Sequence, residues 1–286
     1  MTAQDLLSNR FGKRVMVQSL QSVEGGCLNE CYRLNTSSGV FFMKVNDAKA
    51  FPTMFDAEAR GLTLLNQMVP AIAPEVVVKS ETEGKIFLII QWITEEKPAT
   101  GFWKDFATKL ASLHRHHQDL FGLDHNNYIG SLAQTNETTS DWISFFILRR
   151  MEPQLKKAID EGKIEKEMHR SFAKLYIKLN EIFPEEKPSL VHGDLWSGNF
   201  IIGEDGLARL VDPAIYYGHR EMDLAMSKLF GGFDGSFYPY YNETFPQEKN
   251  FEKRVDVYNL YPLLVHVNLF GGHYGAEVSS IIKRFV

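Results

Sequence analysis

The feature that most constrains this chain is a change of texture near Ile93-Thr94. Before it, apolar residues come in short runs broken by turn residues. Leu28 to Leu34 and Val40 to Val45 are β-like, and Asn35-Thr36-Ser37-Ser38-Gly39 between them favours a hairpin. Glu75 to Lys79 and Lys85 to Trp92 read as two further strands around Thr82-Glu83-Gly84. One helix interrupts them: Ala57, Gly61, Leu64, Leu65 and Met68 recur at helical spacing over Met54 to Met68. After the change, Gly101 to His117, Asp141 to Ile159, Glu165 to Phe183 and Phe251 to Phe270 read as helices. A small β unit lies among them. Leu190-Val191 leads into a loop, and Phe200 to Ile202 pairs with Leu207 to Val211 across Glu204-Asp205-Gly206. The pattern predicts an α+β chain in two lobes: an antiparallel β lobe with one helix over residues 1–93, and a larger, mainly helical lobe over 94–286. A cleft between two such lobes is a usual ligand site.

Composition excludes several classes. The 286 residues carry a net charge of −5, which makes no case for nucleic acid as a main partner. No run of 18 apolar residues occurs, which predicts no membrane span. The opening MTAQDLLSNRFGKR is mixed and charged, unlike a secretory signal. Two cysteines make no disulfide framework, so a reducing, cytoplasmic compartment is expected.

The densest chemistry lies in His192-Gly193-Asp194-Leu195-Trp196-Ser197-Gly198-Asn199. The Asp-to-Asn spacing is that of the kinase catalytic loop H-R-D-x-x-x-x-N, with Gly in place of Arg. Phosphoryl transfer needs positioning and cations against phosphate oxygens more than covalent help. Asp194 can take the proton of an acceptor hydroxyl. Asn199 can coordinate magnesium through its amide oxygen, and Asp212, after the hairpin, can hold metal between phosphates. Taken singly, each could instead be a loop or helix cap. Lys44 in FFMKVN is placed to meet the α- and β-phosphates, with Glu58 in FDAEARGL as its partner. Both could otherwise be solvated surface residues. Gly25, Gly26 and Cys27 precede the first strand, where glycines let backbone N–H groups approach phosphate. A redox-sensitive thiol is a further reading of Cys27, while Cys31 is expected to pack as a small apolar residue. The run His114-Arg115-His116-His117 is not read as a metal site, because only His114 and His117 share a helix face and no third ligand is near.

From end to end the chain resembles the fructosamine kinases, or ketosamine-3-kinases. The resemblance rests on EGGCLNECYRL, FFMKVN with FDAEARGL, HNNYIGSLAQ in place of DNYIGSLAQ, and DWISFFILRRMEPQL. Most specific are LVHGDLWSGNF and VDPAIYYGHREMDLAMSKLFGGF. It implies a protein-kinase-like fold, ATP with Mg2+, and phosphorylation of the 3-hydroxyl of a ketosamine, free or protein-bound. The sugar could be a ribulosamine, an erythrulosamine or a fructosamine. Phosphate on C3, next to the C2 carbonyl, leaves more readily than hydroxide, so elimination followed by hydrolysis frees the amine and the glycated protein is repaired. Carried over, Asp194 is the base, Asn199 and Asp212 hold metal, Lys44 and Glu58 serve the phosphates, and Gly25, Gly26 and Cys27 cover them. Gln91, Trp92 and Ile93 form the adenine hinge. Trp196 lies on the sugar or amine side. His219 and Glu221 are weaker candidates: Glu221 faces a cationic amine or ties the following helix to the loop. The alternatives are a kinase of another alcohol, such as an aminoglycoside or choline, and a nucleotide-binding redox sensor without turnover.

Overall fold

The computed structural model describes residues 2–23 and 29–285. The chain forms two compact units. One holds residues 1–102 together with 200–212, the other 103–199 together with 213–286.

The first unit opens with helix α1 (Ala3–Phe11), whose N-terminus is closed by a capping box between Thr2 and Asp5. Strands β1 (Val17–Ser22), β2 (Glu30–Thr36) and β3 (Gly39–Asp47) follow, then helix α2 (Met54–Met68), then β4 (Val76–Thr82) and β5 (Lys85–Gln91). The five strands make one antiparallel sheet in the order β1-β2-β3-β5-β4. The β2–β3 hairpin is tighter than expected: Thr36 pairs with Gly39, so Ser37 and Ser38 alone make the turn. Leu34, Phe41, Met43, Val45 and Ile89 close with Leu6, Leu7 and Val15 into a core on one sheet face. Strand β1 lies at the sheet edge with Leu20 half exposed. Its sequence, VQSLQS, lacks the apolar alternation that would have revealed it.

The second unit begins in helix α3 (Phe102–His114) and continues through the short pair β6 (Asn127–Ile129) and β7 (Leu132–Gln134). A long helix follows in three parts: α4 (Trp142–Phe145), a π-helical segment Phe146–Met151, and α5 (Glu152–Asp160). Helix α6 (Met168–Ile182) leads to β8 (Ser189–Val191). The hairpin β9 (Phe200–Ile202) and β10 (Ala208–Leu210) then belongs to the first unit. Three backbone bonds tie it there: Leu210 N to Ile72 O at 2.7 Å, Glu96 N to Ile202 O at 2.9 Å, and Ala99 N to Gly206 O at 3.0 Å. The units therefore do not follow a single cut at Ile93-Thr94: the first runs on to residue 102 and recovers a hairpin from far down the chain. Back in the second unit, β11 (Tyr216–Gly218) pairs antiparallel with β8. Helices α7 (Glu221–Met226), α8 (Phe237–Thr244), α9 (Phe251–Phe270) and α10 (Tyr274–Ile282) complete it. Helix α9 is buried without a break from Val257 to Val265 and keeps Pro262 inside. Among the described residues no helix is long and apolar enough to cross a membrane.

Candidate active site

In the first unit, Lys44 points from β3 into the protein and is 7% exposed. Its Nζ donates to Glu58 Oε1 at 2.8 Å and also to Asp212 Oδ1. Glu58 is placed by α2, one turn inside its N-terminus. Burial alone would push the Lys44 ammonium down, but the Asp212 and Glu58 carboxylates outweigh it and raise it. Lys44 is thus a fixed cation. Burial pushes Glu58 up, against the pull of Lys44. Asp212 has φ +52°, in the left-handed region, a strain of about 1–3 kcal/mol for a residue other than Gly. Cys31, opposite Lys44 in the sheet, is buried, and that burial raises its thiol. It packs as the small apolar residue the sequence predicts.

Gln91 ends the strand ladder opposite Phe41, leaving Trp92 and Ile93 beyond the last strand pair. The Trp92 ring is held by the Arg33 guanidinium, 4.8 Å from its centroid, and by Phe42. Gly25, Gly26 and Cys27 lie outside the described residues.

In the second unit, the His192–Asn199 loop is tied by its own side chains. Asn199 Nδ2 donates to the Asp194 carbonyl at 2.7 Å and to Asp194 Oδ2 at 2.8 Å. Asn199 N donates to Trp196 O at 3.0 Å. Since the amide nitrogen is committed to Asp194, the oxygen is the end Asn199 can offer a cation. Gly193 has φ +81°, and a Cβ there would lie 2.1 Å from Ala214 O, so only glycine fits. The Trp196 ring lies so close over Gly198 that a Cβ there would meet it at 2.3 Å.

Asp223 is the residue that sequence reasoning missed. It is buried on α7, and its carboxylate accepts from His192 N at 2.7 Å, Gly193 N at 2.9 Å and His114 Nε2 at 3.1 Å. The carboxylate makes Nε2 the protonated nitrogen, so His114 Nδ1 accepts from the Tyr241 hydroxyl at 2.8 Å. Burial lowers His114, with Asp223 opposing. The loop before Asp194 is therefore held by a carboxylate 31 residues away along the chain. The available signal was an Asp inside the run MDLAM, where a solvated face would not be apolar on both sides.

His219 and Glu221 are enclosed. Glu221 is fully buried, and Arg254 donates to both its oxygens at 2.7 and 2.6 Å. His219 stacks on Trp142, with ring centres 4.5 Å apart, and bonds the Tyr258 hydroxyl. Glu221 thus ties α7 to α9 through Arg254, a helix-to-helix tie where the sequence suggested a cationic amine or a tie of the helix to the loop. Among the described residues no group of three or more His, Cys, Asp or Glu could hold a metal. Magnesium does not need one: it suits one or two carboxylates with phosphate and water oxygens. The Asp212 carboxylate and the Asn199 amide oxygen are each a donor of the kind magnesium takes.

A sheet unit with a Lys–Glu pair and a helical unit with an Asp–Asn loop together define the protein-kinase-like fold. The crystal structure of aminoglycoside phosphotransferase APH(4)-Ia in ternary complex with AMP-PNP and hygromycin B matches 99% of this chain and 98% of its own, with TM-score 0.65 at 16% identity, a likeness of fold. The family model for fructosamine kinase matches residues 1–286, and the chain belongs to that family. A protein of Enterococcus faecium named a probable ketoamine kinase is 37% identical over 92% of this chain and 94% of its own. The chloroplastic protein-ribulosamine 3-kinase of Arabidopsis thaliana is 35% identical over 96% and 85%. A Haemophilus somnus crystal structure named provisionally as a fructosamine-3-kinase superposes with TM-score 0.91 at 30% identity, covering 99% of this chain and 96% of that one.

Proposed function

We propose that the protein transfers the γ-phosphoryl group of ATP to the 3-hydroxyl of a ketosamine. The observation that carries phosphoryl transfer is Lys44, a buried cation held between Glu58 and Asp212. A buried ammonium with two carboxylates is built for a polyanion, which replaces one of them when it binds. Family membership supports the acceptor, since relatives are named ketoamine and ribulosamine kinases.

In this reading Lys44 meets the phosphates and Glu58 orients it. Gly25, Gly26 and Cys27 cover the phosphates, and Gln91, Trp92 and Ile93 carry adenine through backbone groups. Asp212 and Asn199 would hold Mg2+, which when bound neutralises charge on the phosphate oxygens. Asp194 accepts the proton of the C3 hydroxyl as its oxygen bonds the γ-phosphorus and the bond to the ADP oxygen breaks. The Asn199 amide keeps the Asp194 carboxylate in one rotamer, and Asp223 keeps the backbone before it in place. The product carries phosphate on C3, next to the C2 carbonyl: loss of a C1 proton gives the enaminol, phosphate leaves from C3, and water hydrolyses the resulting C1 imine, which frees the amine and removes a glycation adduct from a protein.

Incubation with Mg-ATP and ribulose-, erythrulose- and fructose-modified lysines, followed by mass spectrometry, tests this. Phosphate is expected on at least one of them. Transfer to an aminoglycoside or choline, with none to any ketosamine, overturns it.

A further inference from the structure

We propose that Trp196, Phe230, His266 and Tyr274 form an aromatic wall that receives the protonated secondary amine of the ketosamine, and so selects for an amine at C1 of the sugar. The inference rests on the ketosamine reading above and names which end of that substrate meets this surface.

Trp196 is two residues from Asp194 in the same loop and is only partly buried. Its ring meets Phe230 edge-on with centres 5.8 Å apart. Phe230 packs on His266 at 4.5 Å and meets Tyr274 edge-on at 6.3 Å, and His266 lies 5.1 Å from Tyr274. All four are half-buried, so each keeps an accessible part. Phe270, 57% exposed, continues the patch beside His266.

Two observations set this patch apart from ordinary packing. The first is backbone strain. Phe230 has φ +54°, followed by Gly231 at +96° and Gly232 at +70°. A bulky residue held in the left-handed region is uncommon, and such strain gathers at ligand-binding positions. Here it supports the Phe230 ring between Trp196 and His266. The second is charge. His266 Nδ1 donates to Pro262 O at 2.8 Å, and burial keeps the ring neutral, so it does not repel a cation. A carboxylate that acts on His266 is Glu277, exposed one turn into α10. Aromatic faces attract ammonium groups, Trp most strongly. A ketosamine presents a secondary ammonium next to the carbonyl that flanks its reacting hydroxyl. An amine at that distance from the acceptor suits a ring two residues from the base.

The test compares two substrates with the same ketose: N-butyl-ribulosamine and its ether analogue, in which oxygen replaces the amine nitrogen. Wild type is expected to favour the amine in kcat/KM by roughly tenfold, the size of one or two ammonium–aromatic contacts. Phe230→Leu and Tyr274→Leu, which keep apolar bulk, are expected to reduce that ratio to about twofold or less, with the KM for ATP unchanged. Equal kcat/KM for the two substrates in wild type overturns the proposal even if the variants do not fold. So does a ratio that survives both variants, or an equal loss on both substrates, which would mark the wall as a surface for sugar carbons. If wild type phosphorylates neither compound nor any modified lysine, it is the proposed function that has failed, and this inference falls with it.

Discussion

At the scale of single residues, the arrangement separates groups that act from groups that hold. Asp194→Ala is expected to lower kcat by about 10²–10⁴, the usual effect of losing a positioned base, while nucleotide binding measured by calorimetry stays near wild type. Lys44→Met should act on the other half: the KM for ATP rises and kcat/KM falls at least about 100-fold, because Glu58 and Asp212 lose their shared cation. Asp223→Ala touches no substrate in this reading. It leaves the His192 and Gly193 amides without their acceptor, so a stability loss of about 2–5 kcal/mol in urea titration is expected along with a fall in rate. A variant as stable as wild type would show that water or another group replaces the carboxylate. Asp194, Asn199, Lys44 and Glu58 were all legible as candidates because their types and spacing carry the chemistry. Asp223 was not, because one carboxylate in an apolar helical run has no spacing to read. Burial, which decides whether Glu221 meets a ligand or an Arg, depends on partners such as Arg254 that lie 33 residues away.

At the scale of elements, α2 and α9 begin and end where the residue pattern places them, at Met54–Met68 and Phe251–Phe270. The first is amphipathic and the second is apolar along most of its length, so in both the run of buried positions marks the ends. The helix read as Asp141 to Ile159 exists but hides its π-helical middle, since periodicity over so many residues absorbs one extra residue. That segment makes a prediction. Leu148 is half exposed within it. Deleting Leu148 should restore a regular α-helix but turn Trp142 by about 100° around the axis relative to α5. Trp142 would then leave His219, on which it now stacks. A melting temperature at least several degrees below wild type is expected, whereas Leu148→Ala should be close to neutral.

For the whole molecule, buried histidines set the response to acid. Burial lowers His114 and His219, the latter well below the usual 6.5, and with Asp223 opposing only the first. The unfolded chain binds protons on both as pH falls through 6.5, and the folded chain binds them only at lower pH. Stability is therefore full above that value and is lost as pH drops below it, by at most about 1.4 kcal/mol per pH unit for each proton. Urea midpoints measured across that range check it, and His219→Phe should flatten the slope. The hairpin β9–β10 supplies a second prediction. A fragment ending at residue 102 lacks the partners of Ile72, Glu96 and Ala99, and is expected to show no cooperative thermal transition by circular dichroism. Adding a peptide of residues 200–212 should restore some order.

The same hairpin has a consequence for synthesis on the ribosome. The early sheet emerges first, yet the last piece of its unit is encoded 212 − 102 = 110 residues later. At elongation rates of about 5–20 residues per second, that is a wait of roughly 5–20 s. During it, the backbone groups of Ile72, Glu96 and Ala99 wait without their hairpin partners, open to chaperones and to other growing chains.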